Sequence, residues 1–437
     1  MSLKECGTKR VFTPTTMTNR IINQKMISKK VVVIGAGASG LMASGFAAEN
    51  GAKVTLIEKN KRVGRKIMIT GKGRCNVTNN CDVQDFIRNV PVNGRFLYSA
   101  LNGFTPQDAI DFFEQLGLQL KTERGNRVFP MSDKAVNVVD TLYDFVIEKG
   151  CKIVCDNAVS LIIENNEIIG VKCENEMYYA DSVIICCGGK SYPLTGSTGD
   201  GYTLAKQVGH TVTELKPSLV PLESKNPDCK SMQGLSLKNV SLKIVDNKSQ
   251  KTVFSDFGEM LFTHFGMSGP MILSASSQIR DITDGKYTAV IDLKPALSPE
   301  QLDKRLQNDF RENSNKDVSN SFSKLLPRKI IVPVLKRWGV PFDKKCNSVT
   351  KEERRRLCEI LKEFTVEISG FRPIEEAIIT SGGVKTSEIN PKTMESKLVK
   401  GLYFAGEVID CDAYTGGFNL QIAWSTGRLA GISAAEL

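Results

Sequence analysis

Two stretches near opposite ends of this 437-residue chain constrain its fold more than anything between them. The first, KKVVVIGAGASGLMASGFAAENGAKVTLIEK at 29–59, runs from a short apolar segment through a glycine-rich turn and an Ala-rich helical stretch to a second apolar segment. That order spells one β-α-β unit. Its G-x-G-x-x-G, Gly35 to Gly40, lies between strand and helix, the context in which this motif holds a dinucleotide diphosphate at a helix N-terminus. Gly35 permits the tight turn, Gly37 the approach of the diphosphate and Gly40 the packing of helix on strand, while Ala38 and Ser39 present backbone N–H groups. Glu58 closes the second strand, where a carboxylate accepts from ribose hydroxyls and disfavours a 2′-phosphate; Lys59 adjoins it. The second stretch, GLYFAGEVIDCDAYTGGFNLQIAWSTGRLAG at 401–431, carries Gly406-Glu407, then Gly417, Asn419, Leu420 and Gln421 opening a helix. Backbone N–H groups at a helix start stabilise negative charge. With one half at each end, the expected fold is α/β: a Rossmann-like nucleotide-binding domain built from both ends of the chain, with an inserted β-rich plus helical domain.

The intervening sequence divides by texture. Residues 61–80 are Gly-rich and basic and read as a loop, with Gly64, Lys66, Arg74 and Asn76 as cofactor contacts. Helices are expected from Thr105-Pro106 and after Ser132, short strands over about 152–186, and a hairpin turn at Glu164-Asn165-Asn166-Glu167. The first part of the nucleotide domain is placed at 29–189 and the insertion at 190–371, β-rich and turn-rich over 190–297 and helical and basic over 298–371; residues 372–437 return to the nucleotide domain. Residues 1–28 are polar and basic without the apolar core of a secretory signal, and read as a flexible extension.

Composition excludes several classes. No run of about 18 apolar residues is present, so no membrane span is expected. Twelve cysteines without a C-x-x-C pair, and only two histidines, argue against a zinc ribbon or a histidine-based metal site; free thiols point to a reducing cytoplasm. The net charge of +10 is uneven and concentrated in 301–360, where Arg354, Arg355 and Arg356 run together; such a stretch reads first as a solvated helical surface, and alternatively as a patch that attracts phosphate-rich partners such as RNA.

A plain nicotinamide dehydrogenase continues with further β-α units; here Gly64-Arg65-Lys66 and TGKGRCNVTN at 70–79 follow instead. Together with RVFPMSDKAVNVVDTL at 127–142, CGGKSYPLTGSTGDGY at 187–202, LFTHFGMSGP at 261–270, TSGGV at 380–384 and the 401–427 string, these residues resemble the BaiN-like (aminoacetone-oxidase-like) FAD-dependent oxidoreductases, from Lys30 to the C-terminus. The resemblance implies FAD in a two-dinucleotide-binding-type flavoprotein, with the inserted domain lying over the isoalloxazine. It further implies contacts from Cys187, Gly188 and Gly189, adenine read near the backbone of Val159, and Glu407 on the ribitol. Relatives usually read Ala-Thr-Gly-Gly where this chain has Cys186-Cys187-Gly188-Gly189, so a thiol replaces a hydroxyl at 187.

The expected chemistry is reduction of an electron-poor C=C bond of a small-molecule enone, with NAD(P)H as diffusible donor. His264, Tyr192 and Arg74 are the candidate catalytic side chains, and Tyr414 is a further polar group beside the flavin. Modification of an RNA base through the basic insertion, and amine oxidation with O2, are the alternatives.

Overall fold

The computed structural model describes residues 28–279 and 282–436, so the extension expected at 1–28 lies, Ser28 apart, outside the described residues. Five parallel strands make the central sheet, in the order Leu402–Phe404, Ser182–Ile185, Lys30–Ile34, Lys53–Glu58, Lys152–Cys155. A strand from the C-terminal stretch therefore shares a sheet with the first strand of the chain, as the α/β reading requires. Val31, Val32 and Val33 are buried, as expected for a central parallel strand covered on both faces.

Helix Ala38–Glu49 packs against the C-terminal helix Phe418–Ala435. A methyl group on Gly427 would sit 2.5 Å from the Ser39 carbonyl oxygen, so the two backbones are in near contact. Both helices are rich in small residues and buried on most sides, which removes the need for a polar face. Trp424, fully buried, donates its indole N–H to the Val77 carbonyl at 2.9 Å and joins the C-terminal helix to the segment after the glycine-rich loop.

A second apolar core runs from Leu222 to Ile368, with Phe371 packed against it. Its sheet has seven strands in the order Phe364–Ile368, Tyr287–Asp292, Ser236–Asp246, Thr252–Phe262, Gly266–Ser268, Leu222–Glu223, Gly370–Phe371. Helices Pro299–Glu312, Arg328–Trp338 and Lys351–Lys362 add Phe310, Trp338 and Leu357 to that core. Ser298 and Thr350 start the first and last of these helices through capping boxes with Gln301 and Glu353. Tyr202, Leu204 and Ala205 of helix Asp200–Gln207 belong instead to the first core.

The chain passes between the cores along Lys216–Ser218 and Ile379–Ser381, which pair antiparallel as a two-stranded ribbon. The buried Asp412 carboxylate accepts from Ser218 Oγ at 3.0 Å and Ser381 Oγ at 3.1 Å, so one side chain holds both passages.

Local expectations fared unevenly. Strands Ala158–Glu164 and Glu167–Cys173 turn at Asn165 and Asn166, both at positive φ, as an Asn-Asn hairpin requires. Residues 61–80 are not all loop: Arg65–Ile69 is a short helix that buries Ile67, and a 3-10 turn follows at Thr70–Gly73. Three α-helices among the described residues, Asp200–Gln207, Pro227–Ser231 and Pro270–Gln278, interrupt the stretch read as β-rich; Pro270 sits at the first helical turn, where its missing N–H costs nothing. No helix among the described residues is long and apolar enough to cross a membrane.

Candidate functional site

The strands Lys30–Ile34 and Lys53–Glu58 end at a cavity of about 1290 Å³, larger than the roughly 300–1,000 Å³ of a usual small-molecule site. Gly35 to Ser39, Glu58, Lys66, Gly188 and Gly417 to Leu420 line it from the nucleotide domain. Phe257 and Leu261 of strand Thr252–Phe262 and Pro270 and Leu273 of helix Pro270–Gln278 line it from the insertion. A ligand lying along the sheet edge thus reaches a second compartment walled by the insertion.

At the first end, helix Ala38–Glu49 begins at Gly37 without a side-chain cap, leaving its leading N–H groups for a ligand. A methyl group built on Gly37 meets nothing within 4 Å, whereas one on Gly40 would lie 1.8 Å from the Gly35 carbonyl oxygen. The first glycine borders empty space and the second borders backbone. Glu58 Oε2 accepts from Ala36 N–H at 2.8 Å and Oε1 from the Asn60 backbone and side chain at 2.9 and 2.6 Å. A carboxylate has about four lone-pair sites, so Glu58 braces the loop and keeps room for roughly one further donor. Ser197 Oγ and Asn76 Oδ1, both from cavity-lining residues, are buried polar atoms without a hydrogen-bond partner. Such groups are rare unless a ligand satisfies them. An open helix start, orphaned polar atoms and the cavity's volume together fit FAD.

Towards the other end, Lys66 Nζ donates to Glu407 Oε2 and Ser191 Oγ, each at 2.7 Å, and Thr380 N–H donates to Glu407 Oε1 at 2.8 Å. The predicted ribitol contact is therefore a fixed carboxylate. Arg74 lines the cavity, yet its guanidinium is held by Glu123 and Asp133 and lies 4.1 Å over the Phe129 ring. Hydrogen bonds to those carboxylates raise the Arg74 pKa above its ordinary value and lower that of Glu123. Asn419 spends its amide on the loop before it, pairing with Ala413 N–H and carbonyl at 3.0 and 2.8 Å.

The cavity gathers Gly35, Gly37, Ala38, Ser39, Glu58, Lys59, Gly64, Lys66, Arg74, Asn76, Cys187, Gly188, Glu407, Gly417, Asn419 and Leu420. Other sequence-predicted residues stand behind or away from the wall. Gly189 and Gly406 back it, since added methyl groups would meet Glu407 Oε1 at 2.7 Å and Ser39 Oγ at 2.4 Å. Gln421 is fully buried and bonded to Thr78, Phe104 and Ser425. Val159 lies at a strand irregularity, its carbonyl accepting from Gln207 Nε2 at 3.1 Å, while Asn157 and Ala158 line the cavity in its place. His264 is exposed on a hairpin turn against Phe265, and Tyr192 lies beside Glu375. Cys187 bonds weakly to the Ile34 carbonyl at 3.6 Å, and burial pushes its thiol pKa well up.

No residue of 301–360 lines the cavity, and Arg354, Arg337, Lys344 and Lys345 are paired with Asp303, Asp228, Glu353 and Asp317. The exposed, cavity-lining Arg62, Arg65, Lys72, Arg124 and Arg127 form no ion pair among the described residues. Sequence reasoning missed this rim because its members come from two separated stretches, 62–72 and 124–127, that only folding brings to one cavity.

The HI0933-like protein Rossmann domain matches residues 29–433. The chain belongs to the HI0933-like family. Similar proteins named for their activity include the 3-dehydro-bile acid delta(4,6)-reductase of Clostridium scindens, 30% identical over 412 residues, covering 93% of this chain and 99% of that protein. The ribosomal RNA dihydrouridine synthase of Escherichia coli K12 is 30% identical over 396 residues, 90% of this chain and 95% of that one. Among solved structures, the 3-ketosteroid-delta4-(5alpha)-dehydrogenase of Rhodococcus jostii RHA1 shares the fold, with a TM-score of 0.51, 14% identity, and 94% and 97% of the two chains covered. This HI0933-like protein is an FAD-dependent oxidoreductase.

Proposed function

We propose that this flavoenzyme reduces a carbon–carbon double bond conjugated to a carbonyl, with NAD(P)H as the diffusible source of electrons. The observation that carries the reading is the cavity itself, about 1290 Å³, which joins the dinucleotide loop at Gly37 to the insertion wall at Leu261 and Leu273. Bound there, FAD supplies two-electron chemistry at its isoalloxazine. The chain supplies the rest: the Ala38–Glu49 helix start meets the diphosphate, Glu58 the ribose, fixed Glu407 the ribitol, and the insertion covers the reacting region and limits water. One relative acts on a 3-dehydro-bile acid and another makes dihydrouridine in ribosomal RNA. An enone and the C5=C6 bond of uracil are both conjugated to a carbonyl, so one reaction accommodates both.

The unpaired cations Arg62, Arg65, Lys72, Arg124 and Arg127 favour a second reading, in which the reduced double bond belongs to an RNA uracil. Phosphates would sit on this rim, which is where neutralisation must act, rather than on 301–360. Anaerobic stopped-flow tests the shared reaction. NADH or NADPH is expected to bleach the bound flavin, and an enone or a uridine-containing RNA to restore its colour. A flavin that neither nicotinamide reduces refutes the donor assignment, and a reduced flavin that neither acceptor oxidises refutes the reaction. RNA binding that weakens steeply with salt, and is lost on neutralising Arg124 and Arg127, selects the nucleic acid.

A further inference from the structure

Resting on that reading, we infer that Tyr414 is the catalytic acid, protonating the carbon next to the carbonyl as hydride arrives at the far carbon of the double bond. Such a donor has to reach the cavity, keep its proton at neutral pH, be held in place, and have no competing bond. Arg74 fails, since its guanidinium is engaged by two carboxylates and does not give up a proton at ordinary pH. His264 and Tyr192 fail because neither lines the cavity. Of the four cavity-lining thiols, Cys186 and Cys187 lie beside the glycine-rich loop, Cys81 packs against the first core, and Cys411 is buried against the Asn93 carbonyl at 3.9 Å.

Tyr414 meets each requirement. It lines the cavity and is half-buried, and its hydroxyl has no hydrogen-bond partner among the described residues. Its backbone is fixed from two sides: Tyr414 N–H donates to the Asn89 carbonyl at 3.0 Å, and its carbonyl accepts from Asn419 Nδ2 at 3.3 Å. The neighbouring Thr415 Oγ1 lies 3.3 Å from Ser274 Oγ, so this loop meets the insertion helix Pro270–Gln278 where a substrate would be covered. It also precedes the start of helix Phe418–Ala435 at Gly417. Burial, and then the Asp412 carboxylate, raise the phenol pKa above its ordinary value, so the proton is retained until a strong base appears.

The step balances. With FAD bound and reduced, the cofactor would supply the hydride that bonds to the β carbon while the C=C electron pair moves to the α carbon, and the Tyr414 O–H bond breaks to form the α C–H bond. Water then returns a proton to the phenolate, leaving a saturated carbonyl compound and oxidised flavin.

The test uses holo-protein carrying Tyr414→Phe, reduced anaerobically and mixed with a 3-keto-4-ene steroid and, separately, with poly-uridine RNA. Flavin reoxidation is expected to slow by about 100-fold or more, the usual contribution of a placed acid. Binding of the acceptor, read from its perturbation of the oxidised flavin spectrum, should change less than about threefold, as expected when only a transition-state interaction is lost. A solvent deuterium isotope effect on reoxidation should be present in the parent and altered in the variant. Reoxidation of Tyr414→Phe at the parent rate, with the same isotope effect, overturns the assignment. Should Tyr414→Phe lose its flavin, Tyr414→His replaces it: the pH dependence of reoxidation is expected to move into the imidazole range, and an unmoved profile overturns the assignment. If the parent reduced flavin is oxidised by neither acceptor, the double-bond reading fails and takes the acid with it; turnover by parent and variant alike removes only Tyr414.

Discussion

Two glycines of one motif should fail in opposite ways when each gains a methyl group. In Gly40→Ala the new carbon would lie 1.8 Å from the Gly35 carbonyl oxygen, about half an ordinary contact, and the obstacle is backbone that cannot rotate aside. Overpacking costs about 1–3 kcal/mol and more against rigid partners, while alanine returns only about 1 kcal/mol of helix propensity. A net loss of about 2 kcal/mol or more is therefore expected, seen as a lower denaturant midpoint in apo- and holo-protein alike. In Gly37→Ala the methyl group meets no protein atom within 4 Å, and Gly37 has an ordinary extended backbone with φ of −84°. Apoprotein stability should change by less than about 1 kcal/mol, the usual effect of replacing a glycine N-cap. The methyl would instead occupy the approach of the diphosphate, displacing hydrogen bonds to a charged group worth about 1.5–3 kcal/mol each. FAD titration of apoprotein should show affinity falling about 10- to 100-fold. A Gly37→Ala protein that binds FAD at the parent affinity would refute the placement of the diphosphate; one that melts like Gly40→Ala would refute the claim that the space beside Gly37 is reserved for a ligand.

Other consequences follow from side-chain placement. Lys66→Met leaves Glu407 with two donors instead of three in a partly buried site, so a loss of about 1–2 kcal/mol is expected in urea unfolding, with weaker FAD binding. Glu123 lines no part of the cavity but holds Arg74, so Glu123→Gln and Arg74→Lys should each weaken FAD binding roughly three- to tenfold and be non-additive in a double-mutant cycle. His210 is buried, with Nδ1 3.1 Å from Glu388 and Nε2 2.8 Å from Ser396 Oγ, and burial lowers its pKa below the usual 6.5. The unfolded chain then binds the proton first as pH falls, so this contribution to stability is present above about pH 6.5 and declines below it. Urea midpoints between pH 7 and 5 should fall more steeply in the parent than in His210→Gln, and parallel slopes would contradict the neutral assignment.

What the sequence discloses and what it withholds separate by distance along the chain. The diphosphate loop, Glu58 and the Asn-Asn turn are local patterns in which neighbours decide the geometry. Arg74 reads as a cofactor contact and catalytic candidate because its partners Glu123 and Asp133 stand about 50 and 60 residues away. In the 301–360 segment Arg337 meets Asp228, Lys345 meets Asp317 and Arg354 meets Asp303 only through folding, while Arg356 forms no ion pair among the described residues. Asn419 and Gln421 follow the helix-start pattern, but their side chains are spent on the Ala413 loop and on Thr78 and Phe104, which helical periodicity does not disclose. Tyr414 is one polar candidate among several until the cavity wall removes His264 and Tyr192 and the carboxylates of Glu123 and Asp133 remove Arg74.

The paired passages Lys216–Ser218 and Ile379–Ser381 leave and re-enter the redox half side by side, at the roughly 5 Å spacing of adjacent strands. A segment tethered at one doorway is exchangeable: its length, surface and lining can be rebuilt through evolution or grafting while the coenzyme cradle stays untouched. Diversification of acceptors within such a family then needs no change in how the redox machinery is assembled.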